Sequence, residues 1–169
     1  MSKSMPPSED SMPIRVAPLR LRQAREAHSV FTDALMNHFT YFDAGYKQKV
    51  LAENSLAKMM RGVFRPSRLL LVAQHGDRII GYVIASVPRN GNGQVYWLFV
   101  NPNYRGQNIG LMLLSRALRI MAAKGAHTAT LITHDHAKYY ARQGFRLIKQ
   151  VSEGSAMHYI LSYDLRRPR

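Results

Sequence analysis

The chain contains no cysteine and few acidic residues. Without thiols it can form neither a disulfide nor a thiolate metal site, and it has no cysteine nucleophile. Its 10 Asp and Glu face 24 Lys and Arg, a formal net charge of +14 over 169 residues. No apolar run approaches the length of a membrane span, and the opening residues lack the apolar centre of a signal peptide. We therefore expect a cytoplasmic protein without a membrane partner.

The composition that remains is that of one globular domain. Hydrophobic residues make up 46% of the chain and charged residues 20%, which is typical of a folded protein of this length. Residues 1–13 are rich in Ser, Pro and Met and predict a disordered tail before a single domain over 14–169. The positive charge favours anionic partners, such as the phosphates of a cofactor or RNA. The alternative is a solvated basic surface with no specific partner.

The stretch 96–110, YWLFVNPNYRGQNIG, predicts a phosphate-binding turn. Its first five residues are aromatic or apolar and indicate a buried strand, and Asn-Pro-Asn then indicates a turn. Apolar residues at 111, 114, 118 and 121 predict a helix that follows directly. A helix N-terminus presents unpaired N–H groups and partial positive charge, glycines allow an anion to approach them, and Arg105 adds a full charge. The alternative is an ordinary connection between a strand and a helix.

Hydrophobic periodicity and turn residues predict the order β-α-α-β-β-β-α-β-α-β-β. The second helix is expected to run without a break over residues 46–60. Asp135 is expected to cap a short helix over 136–143. This order predicts an α/β domain in which a mixed sheet carries helices on both faces.

Three motifs resemble the GNAT family of N-acetyltransferases. The spacing of Arg105, Asn108 and Gly110 resembles the family's acetyl-CoA pyrophosphate loop, which reads Gln or Arg, two residues, Gly, one residue, then Gly or Ala. Asn108 replaces the middle glycine, and Asn is the non-glycine residue that best tolerates positive φ. Residues 76–83 and 140–145 resemble two further family segments, a glycine hairpin and Y-x-x-x-G-F. The resemblance covers about residues 14–165.

The resemblance implies a GNAT-like fold, in which a mostly antiparallel central sheet is splayed at the cofactor site. It also implies acetyl-CoA as co-substrate and no metal. Main-chain groups of the fourth strand would meet the pantetheine arm, Arg105 and the N–H groups after it would hold the pyrophosphate, and the N–H groups of Phe99 and Val100 would polarise the thioester. The implied cofactor-binding residues are Leu98, Phe99, Val100, Arg105, Gly106, Gln107, Asn108, Ile109, Gly110 and Leu111.

The resemblance also implies that Tyr140 is the general acid, because a phenol beside the sulfur can protonate the departing thiolate. The alternative is that Tyr140 only packs in the core. The general base is left open between a water relayed by Tyr96 and one of His134, Asp135 and His136. A metal site at His134, Asp135 and His136 is disfavoured, because no further ligand lies at a recognisable spacing from them in the sequence.

The expected function is direct transfer of an acetyl group from acetyl-CoA to a primary amine of a small molecule, peptide or protein. Two alternatives remain: acetylation of aminoacyl-tRNA or a ribosomal component, and a non-catalytic module that binds CoA or nucleic acid. A homodimer through the final strand is also open. The family's acceptor region corresponds here to the first helices and the last hairpin. Its candidate residues are Phe39, Tyr41, Phe42, Asp43, Tyr46 and Glu53.

Overall fold

A seven-stranded sheet forms the centre of the protein in a computed structural model that describes residues 12–87, 90–153 and 156–166. Its strand order is β1-β2-β3-β4-β5-β7-β6, and every neighbouring pair is antiparallel except β4 with β5, which is parallel. The predicted mixed, mostly antiparallel sheet is therefore confirmed. The strands are β1 Arg15–Pro18, β2 Arg68–His75, β3 Arg78–Ser86, β4 Asn92–Val100, β5 Thr128–Thr133, β6 Arg146–Glu153 and β7 Ala156–Asp164.

Helices cover both faces of this sheet, as predicted. Because alternate residues of a strand point to opposite faces, β2 contributes side chains to two hydrophobic cores. Val72 packs with Phe31 of the first helix on one face, and Leu71 packs with Leu113 of the long helix on the other. Short 3-10 turns lie at Leu21–Gln23 and Pro102–Tyr104. The α-helices are α1 Ala24–Asn37, α2 Ala44–Glu53, α3 Leu56–Gly62, α4 Ile109–Ala123 and α5 Ala137–Arg142.

The expectation of one unbroken helix over 46–60 is wrong, because α2 ends at Glu53 and α3 begins at Leu56. Asn54 lies buried at the break. Its side-chain Nδ2 donates to the carbonyl of Val50 at 3.0 Å, and its Oδ1 accepts from Arg68 Nη2 at 2.8 Å. The contact with β2 thus stabilises a break that helical periodicity alone does not reveal.

Asp135 does not cap α5, contrary to expectation. The side chain that accepts a hydrogen bond at this helix start is Thr133, whose Oγ1 accepts from the N–H of His136 at 3.2 Å. The predicted disordered tail falls almost entirely on residues 1–11, which lie outside the described part of the chain. In the described ranges, no helix has both the length and the apolar character needed to cross a membrane.

The sheet opens between β4 and β5. Their pairing joins Asn92 with Thr128 and ends at Val95 with Leu131, although β4 continues to Val100. A bulge on β4 marks the point of separation. Ala85 of β3 pairs with Val95 and Ile84 pairs with Trp97, so Tyr96 is the extra residue of the bulge. The splay predicted for the sheet is therefore present, and we call it the β4–β5 gap.

Candidate active site

The turn between β4 and α4 folds back onto the end of β4. The Asn101 side chain accepts from the N–H of Asn103 at 3.0 Å and starts the 3-10 turn. Arg105 follows this turn directly, and its Nε donates to the carbonyl of Val100 at 3.2 Å. The guanidinium is therefore held at the open edge of β4, close to the start of the following helix.

Asn108 gives this turn its shape. Its backbone lies in the left-handed region, with φ 58° and ψ 15°, and it is the one non-glycine residue with positive φ in the described chain. Gly106, two residues earlier, also has positive φ, at 83°. Asn108 adopts here the conformation that asparagine was expected to tolerate. It precedes the 15-residue helix α4, and its own side chain makes no capping hydrogen bond, so the N–H groups of the first turn remain available to an anion.

A cavity of about 510 Å³ opens at this turn and runs along β4. All but one of the residues predicted to bind the cofactor line it. Gln107 is the exception, because it borders a neighbouring hollow with Asn103. The predicted residues that line the cavity are Leu98, Phe99, Val100, Arg105, Gly106, Asn108, Ile109, Gly110 and Leu111.

The main chain of β4 supplies donors to the β4–β5 gap. The N–H of Asn101 donates to the carbonyl of Ile80 on β3 at 2.8 Å. Since successive N–H groups of a strand point in opposite directions, those of Leu98 and Val100 face the gap, while that of Phe99 faces β3. The Phe99 ring is buried against Tyr82, with centroids 5.7 Å apart. Of the two N–H groups expected to polarise a thioester, only that of Val100 is directed to the gap.

Tyr140 lies where this cavity meets a second one. Its ring makes edge-on contacts with Tyr139 and Phe145, at centroid distances of 5.1 and 5.8 Å. Burial, with smaller contributions from Tyr139 and Tyr41, raises the pKa of Tyr140 well above its usual value. The phenol therefore stays protonated at neutral pH and can act as a proton donor.

Tyr139 reaches instead towards the start of α4. A Cβ added at Gly110 would lie 3.2 Å from the Tyr139 hydroxyl and 3.7 Å from Val100 Cγ2. Such a contact is tighter than side chains normally make, so a glycine at this position lets the helix start, β4 and α5 approach each other closely.

The second cavity, about 640 Å³, lies between α2, β4, β5 and β7, and we call it the aromatic cleft. It shares Phe39, Tyr41, Leu98, His136 and Tyr140 with the first cavity. The residues proposed from sequence for the acceptor region come together here. Those that line the aromatic cleft are Phe39, Tyr41, Phe42, Asp43, Tyr46 and Glu53.

His134 stands out among the three candidate bases beside β5. Its ring lies between Tyr41 and His158, at centroid distances of 4.1 and 4.2 Å. Its Nδ1 is buried and has no hydrogen-bond partner among the described residues. Burial first, and then His158, lower the pKa of His134, although Asp135 acts in the opposite direction. The imidazole is therefore neutral at pH 7 and can accept a proton.

The remaining candidates are less well placed. Asp135 is exposed and borders only the first cavity, whereas His136 is exposed between both. The hydroxyl of Tyr96 shares a hydrogen bond of 3.1 Å with Ser86 at the margin of the aromatic cleft. His158 was missed at the sequence level, because β7 brings it beside His134 from 24 residues away and no local pattern indicates that pairing. The described residues include no group of three or more His, Asp or Glu that could hold a metal ion.

Comparison with known proteins agrees with this architecture. The model of the family described as Acetyltransferase (GNAT) family matches residues 28–145. PaiA N-acetyltransferase from Thermoplasma acidophilum, solved in complex with coenzyme A, is 20% identical and has a TM-score of 0.75, with 90% of this chain and 99% of that chain covered.

Two other solved structures share the fold. A GNAT-family acetyltransferase from Streptococcus pneumoniae is 15% identical, with a TM-score of 0.72 and coverage of 90% of this chain and 99% of that one. The ribosomal-protein-S18-alanine N-acetyltransferase from Escherichia coli is 12% identical, with a TM-score of 0.69 and coverage of 93% and 97%. At these identities the likeness concerns the fold alone. No curated protein matches the chain in sequence.

Proposed function

This chain belongs to the GNAT acetyltransferase family, and we propose that it transfers an acetyl group from acetyl-CoA directly to a primary amine of a small molecule, peptide or protein. The observation that carries the proposal is the meeting of two cavities at Tyr140 beside the β4–β5 gap. One cavity presents an anion-binding turn and the other an aromatic cleft. Direct transfer needs both substrates to be present together, and this arrangement provides adjoining space for them.

The first cavity fits acetyl-CoA. Arg105 supplies a permanent positive charge, and the positive φ of Gly106 and Asn108 shapes the turn in front of the unpaired N–H groups of α4. These groups suit a pyrophosphate. The N–H groups of Leu98 and Val100 suit a carbonyl-rich arm, and that of Val100 would stabilise charge on the thioester oxygen. Acetyl-CoA supplies an acetyl group already activated as a thioester.

The proton balance of the transfer uses His134 and Tyr140. As the amine nitrogen bonds to the acetyl carbon, the proton it loses passes to the neutral imidazole of His134, directly or through a water. As the carbon–sulfur bond breaks, Tyr140 gives its proton to the sulfur. His134 borders the aromatic cleft, and Tyr140 borders both cavities. At neutral pH the raised pKa of Tyr140 keeps its phenol protonated and the lowered pKa of His134 keeps its imidazole neutral, so each group starts in the protonation state that its role needs.

Calorimetric titration with acetyl-CoA tests the cofactor half of the proposal. We expect Arg105→Gln to weaken binding about tenfold, because it removes a charge-assisted contact with phosphate. Arg25→Gln, on the exposed side of α1, is the matched control and should bind as the wild type does. A folded wild-type protein that shows no binding would refute the proposal.

Release of CoA in the presence of an amine tests the transfer itself. A thiol reagent reports this product without background, because the chain has no cysteine. Binding without release of CoA for any amine would favour a non-catalytic module. Release that depends on aminoacyl-tRNA or a ribosomal component, and not on free amines, would favour the alternative that the net charge of +14 keeps open.

A further inference from the structure

The charge of the aromatic cleft is opposite to that of the molecule. The protein carries a formal net charge of +14. Yet among the described residues that line this cleft there is no lysine or arginine, and the charged side chains are the carboxylates of Asp43 and Glu53. Arg68 is not part of this lining, although its Nη2 donates to the lining residue Asn54 at 2.8 Å. In a chain with more than twice as many basic as acidic residues, a cavity of this size with no cation in its lining is a local reversal that favours a positively charged occupant.

Helix α2 places the two carboxylates on the cleft. Asp43, Tyr46, Val50 and Glu53 all border it, and their spacing of three or four residues puts them on one face of the helix. Asp43 precedes the first turn and Glu53 ends the last, so they lie about 15 Å apart along the axis. An aromatic and an apolar side chain stand between them. A single helical face therefore offers negative charge at both ends and apolar surface in its middle.

Aromatic rings form the remaining wall. Phe42 lies at the centre, with its ring centroid 4.4 Å from that of Tyr46, 4.5 Å from Tyr41 and 5.9 Å from Trp97. Tyr41 and Tyr46 keep 42% and 43% of their surface exposed. Ring faces attract cations and stack on flat apolar groups, so this wall suits the same occupant as the carboxylates.

Building on the proposed acetyl transfer, we propose that the aromatic cleft takes a small primary amine that is protonated in solution, carries an aromatic group and bears no acidic group. The carboxylates attract the ammonium form, the rings hold the aromatic body, and the amine end lies towards His134. The ammonium group gives its first proton to solvent water before transfer, and His134 takes the second proton as the nitrogen bonds to the acetyl carbon. An acidic group on the acceptor, whether carboxylate or phosphate, meets like charge from Asp43 or Glu53 and is disfavoured.

A matched series of acceptors tests this specificity. The compounds 2-phenylethylamine, phenylalaninamide and phenylalanine share a phenyl ring and a primary amine, and only the last carries a carboxylate. We expect kcat/KM for the first two to exceed that for phenylalanine by about tenfold or more. n-Butylamine, which lacks the ring, should also be a poorer acceptor than 2-phenylethylamine. Equal use of phenylalanine and phenylalaninamide would overturn the proposal.

Asp43→Asn removes one charge and keeps the fold of the helix start. The Asp43 Oδ1 accepts from the N–H of Tyr46 at 2.8 Å, and the amide oxygen of asparagine can accept the same bond. We expect this variant to narrow the preference for phenylalaninamide over phenylalanine severalfold, and Asp43→Asn with Glu53→Gln to narrow it further. Asp77→Asn, in the exposed turn between β2 and β3, should leave the preference unchanged. An unchanged preference in the double variant would contradict the role of the carboxylates.

Trp97 allows binding to be followed without turnover. It is the single tryptophan of the chain, and it borders the aromatic cleft. We expect N,N-dimethyl-2-phenylethylamine, a tertiary amine that forms no stable amide product, to change the fluorescence of Trp97 saturably. The acid of similar size, 3-phenylpropionate, should do so only at much higher concentration. Equal responses to the two compounds would show that the cleft does not select charge.

Failure of this inference differs from failure of the proposed function. If the folded protein does not bind acetyl-CoA and releases no CoA from it with any amine, acetyl transfer itself is refuted. If acetyl-CoA is turned over with linear polyamines, amino acids or aminoacyl-tRNA in preference to arylalkylamines, acetyl transfer stands and the proposed acceptor class is wrong.

Discussion

If Tyr140 is the general acid, the rate of acetyl transfer depends on its hydroxyl group. Tyr140→Phe keeps the ring contacts with Tyr139 and Phe145 and removes only the proton donor. We expect kcat to fall about a hundredfold, as is usual for loss of a general acid, with little change in the affinity for acetyl-CoA. Steady-state kinetics with calorimetry measures both.

Tyr139→Phe is the matched control for this substitution, because the two tyrosines are adjacent on α5. It should reduce kcat much less than Tyr140→Phe does. The reverse order of effects would transfer the role of acid to Tyr139, whose hydroxyl lies near the start of α4.

His134 should control the acidic limb of the pH profile. Burial lowers its pKa, so the neutral imidazole that accepts a proton predominates above that lowered value and is lost as the pH falls through it. We expect kcat for a bound amine to decline only below the usual histidine range, and this limb to disappear, with a low residual rate, in His134→Gln. His28→Gln, on α1 away from both cavities, should keep the wild-type profile. A limb that survives in His134→Gln would exclude it as the base.

Two opposite substitutions test whether the left-handed backbone conformation of Asn108 determines the residue at this position. At φ 58° a residue with a Cβ and no local hydrogen-bonding group is strained, so Asn108→Ala should lower the free energy of unfolding by about 1 kcal/mol. Asn108→Gly should leave it within a few tenths of a kcal/mol and bind acetyl-CoA at least as well. Thermal unfolding and calorimetry measure these effects. Equal stability of the Ala and Gly variants would contradict the left-handed conformation.

At the scale of elements, the break between α2 and α3 orients one wall of the aromatic cleft. Asn54→Ala removes the acceptor of Arg68 Nη2 and the donor to Val50. It leaves a half-buried guanidinium without its partner, which should cost about 1–3 kcal/mol of unfolding free energy. Because Asp43 caps the start of α2 and Glu53 ends the helix, KM for the amine should rise while the affinity for acetyl-CoA stays unchanged. Chemical denaturation with substrate kinetics tests this, and a stable variant with unchanged KM would contradict it.

Elements whose signal is local were predictable from sequence. The turn after β4 combines an apolar run, an arginine, glycines and a helical stripe within some twenty residues. This combination indicated the strand, the turn and the helix that the structure has, and the use of the turn to bind phosphate stays a prediction. The order of strands and helices followed from periodicity in the same way. The break at Asn54 was not predicted because its cause is Arg68, 14 residues away. The cap at α5 was assigned to Asp135, but the N-cap residue is His136, which makes no side-chain capping hydrogen bond and whose N–H donates to the hydroxyl of Thr133.

The candidate site was predictable only where one segment contributes it. The residues that line the first cavity come mainly from one stretch of chain, whereas the surroundings of His134 combine the α1–α2 connection, β5 and β7. The direction of the Phe99 N–H was also beyond reach, because it depends on the pairing of β4 with β3. Long-range pairing thus decided which of the candidate groups meet at the gap.

At the scale of the whole molecule, the net charge should affect the two substrates in opposite ways. Acetyl-CoA is an anion attracted by a field of +14 charges, whereas a cationic amine is repelled by it until close to Asp43 and Glu53. Raising the salt concentration weakens both effects, because at 0.1 M salt the charges that lie more than about 10 Å apart are largely screened. We expect KM for acetyl-CoA to rise with salt and KM for the amine to stay level or fall. A steep parallel rise of both would indicate a polyanionic acceptor such as RNA.

The β4–β5 gap has a consequence for how this protein can diverge. At the gap the main chain of β4 offers the donors that we propose for acetyl-CoA, and every sequence compatible with the strand keeps those groups. The aromatic cleft is formed by side chains of the α1–α2 connection, α2 and the strand ends, which can change without altering that main chain. We expect descendants of this gene to exchange acceptors readily while retaining the same acetyl donor.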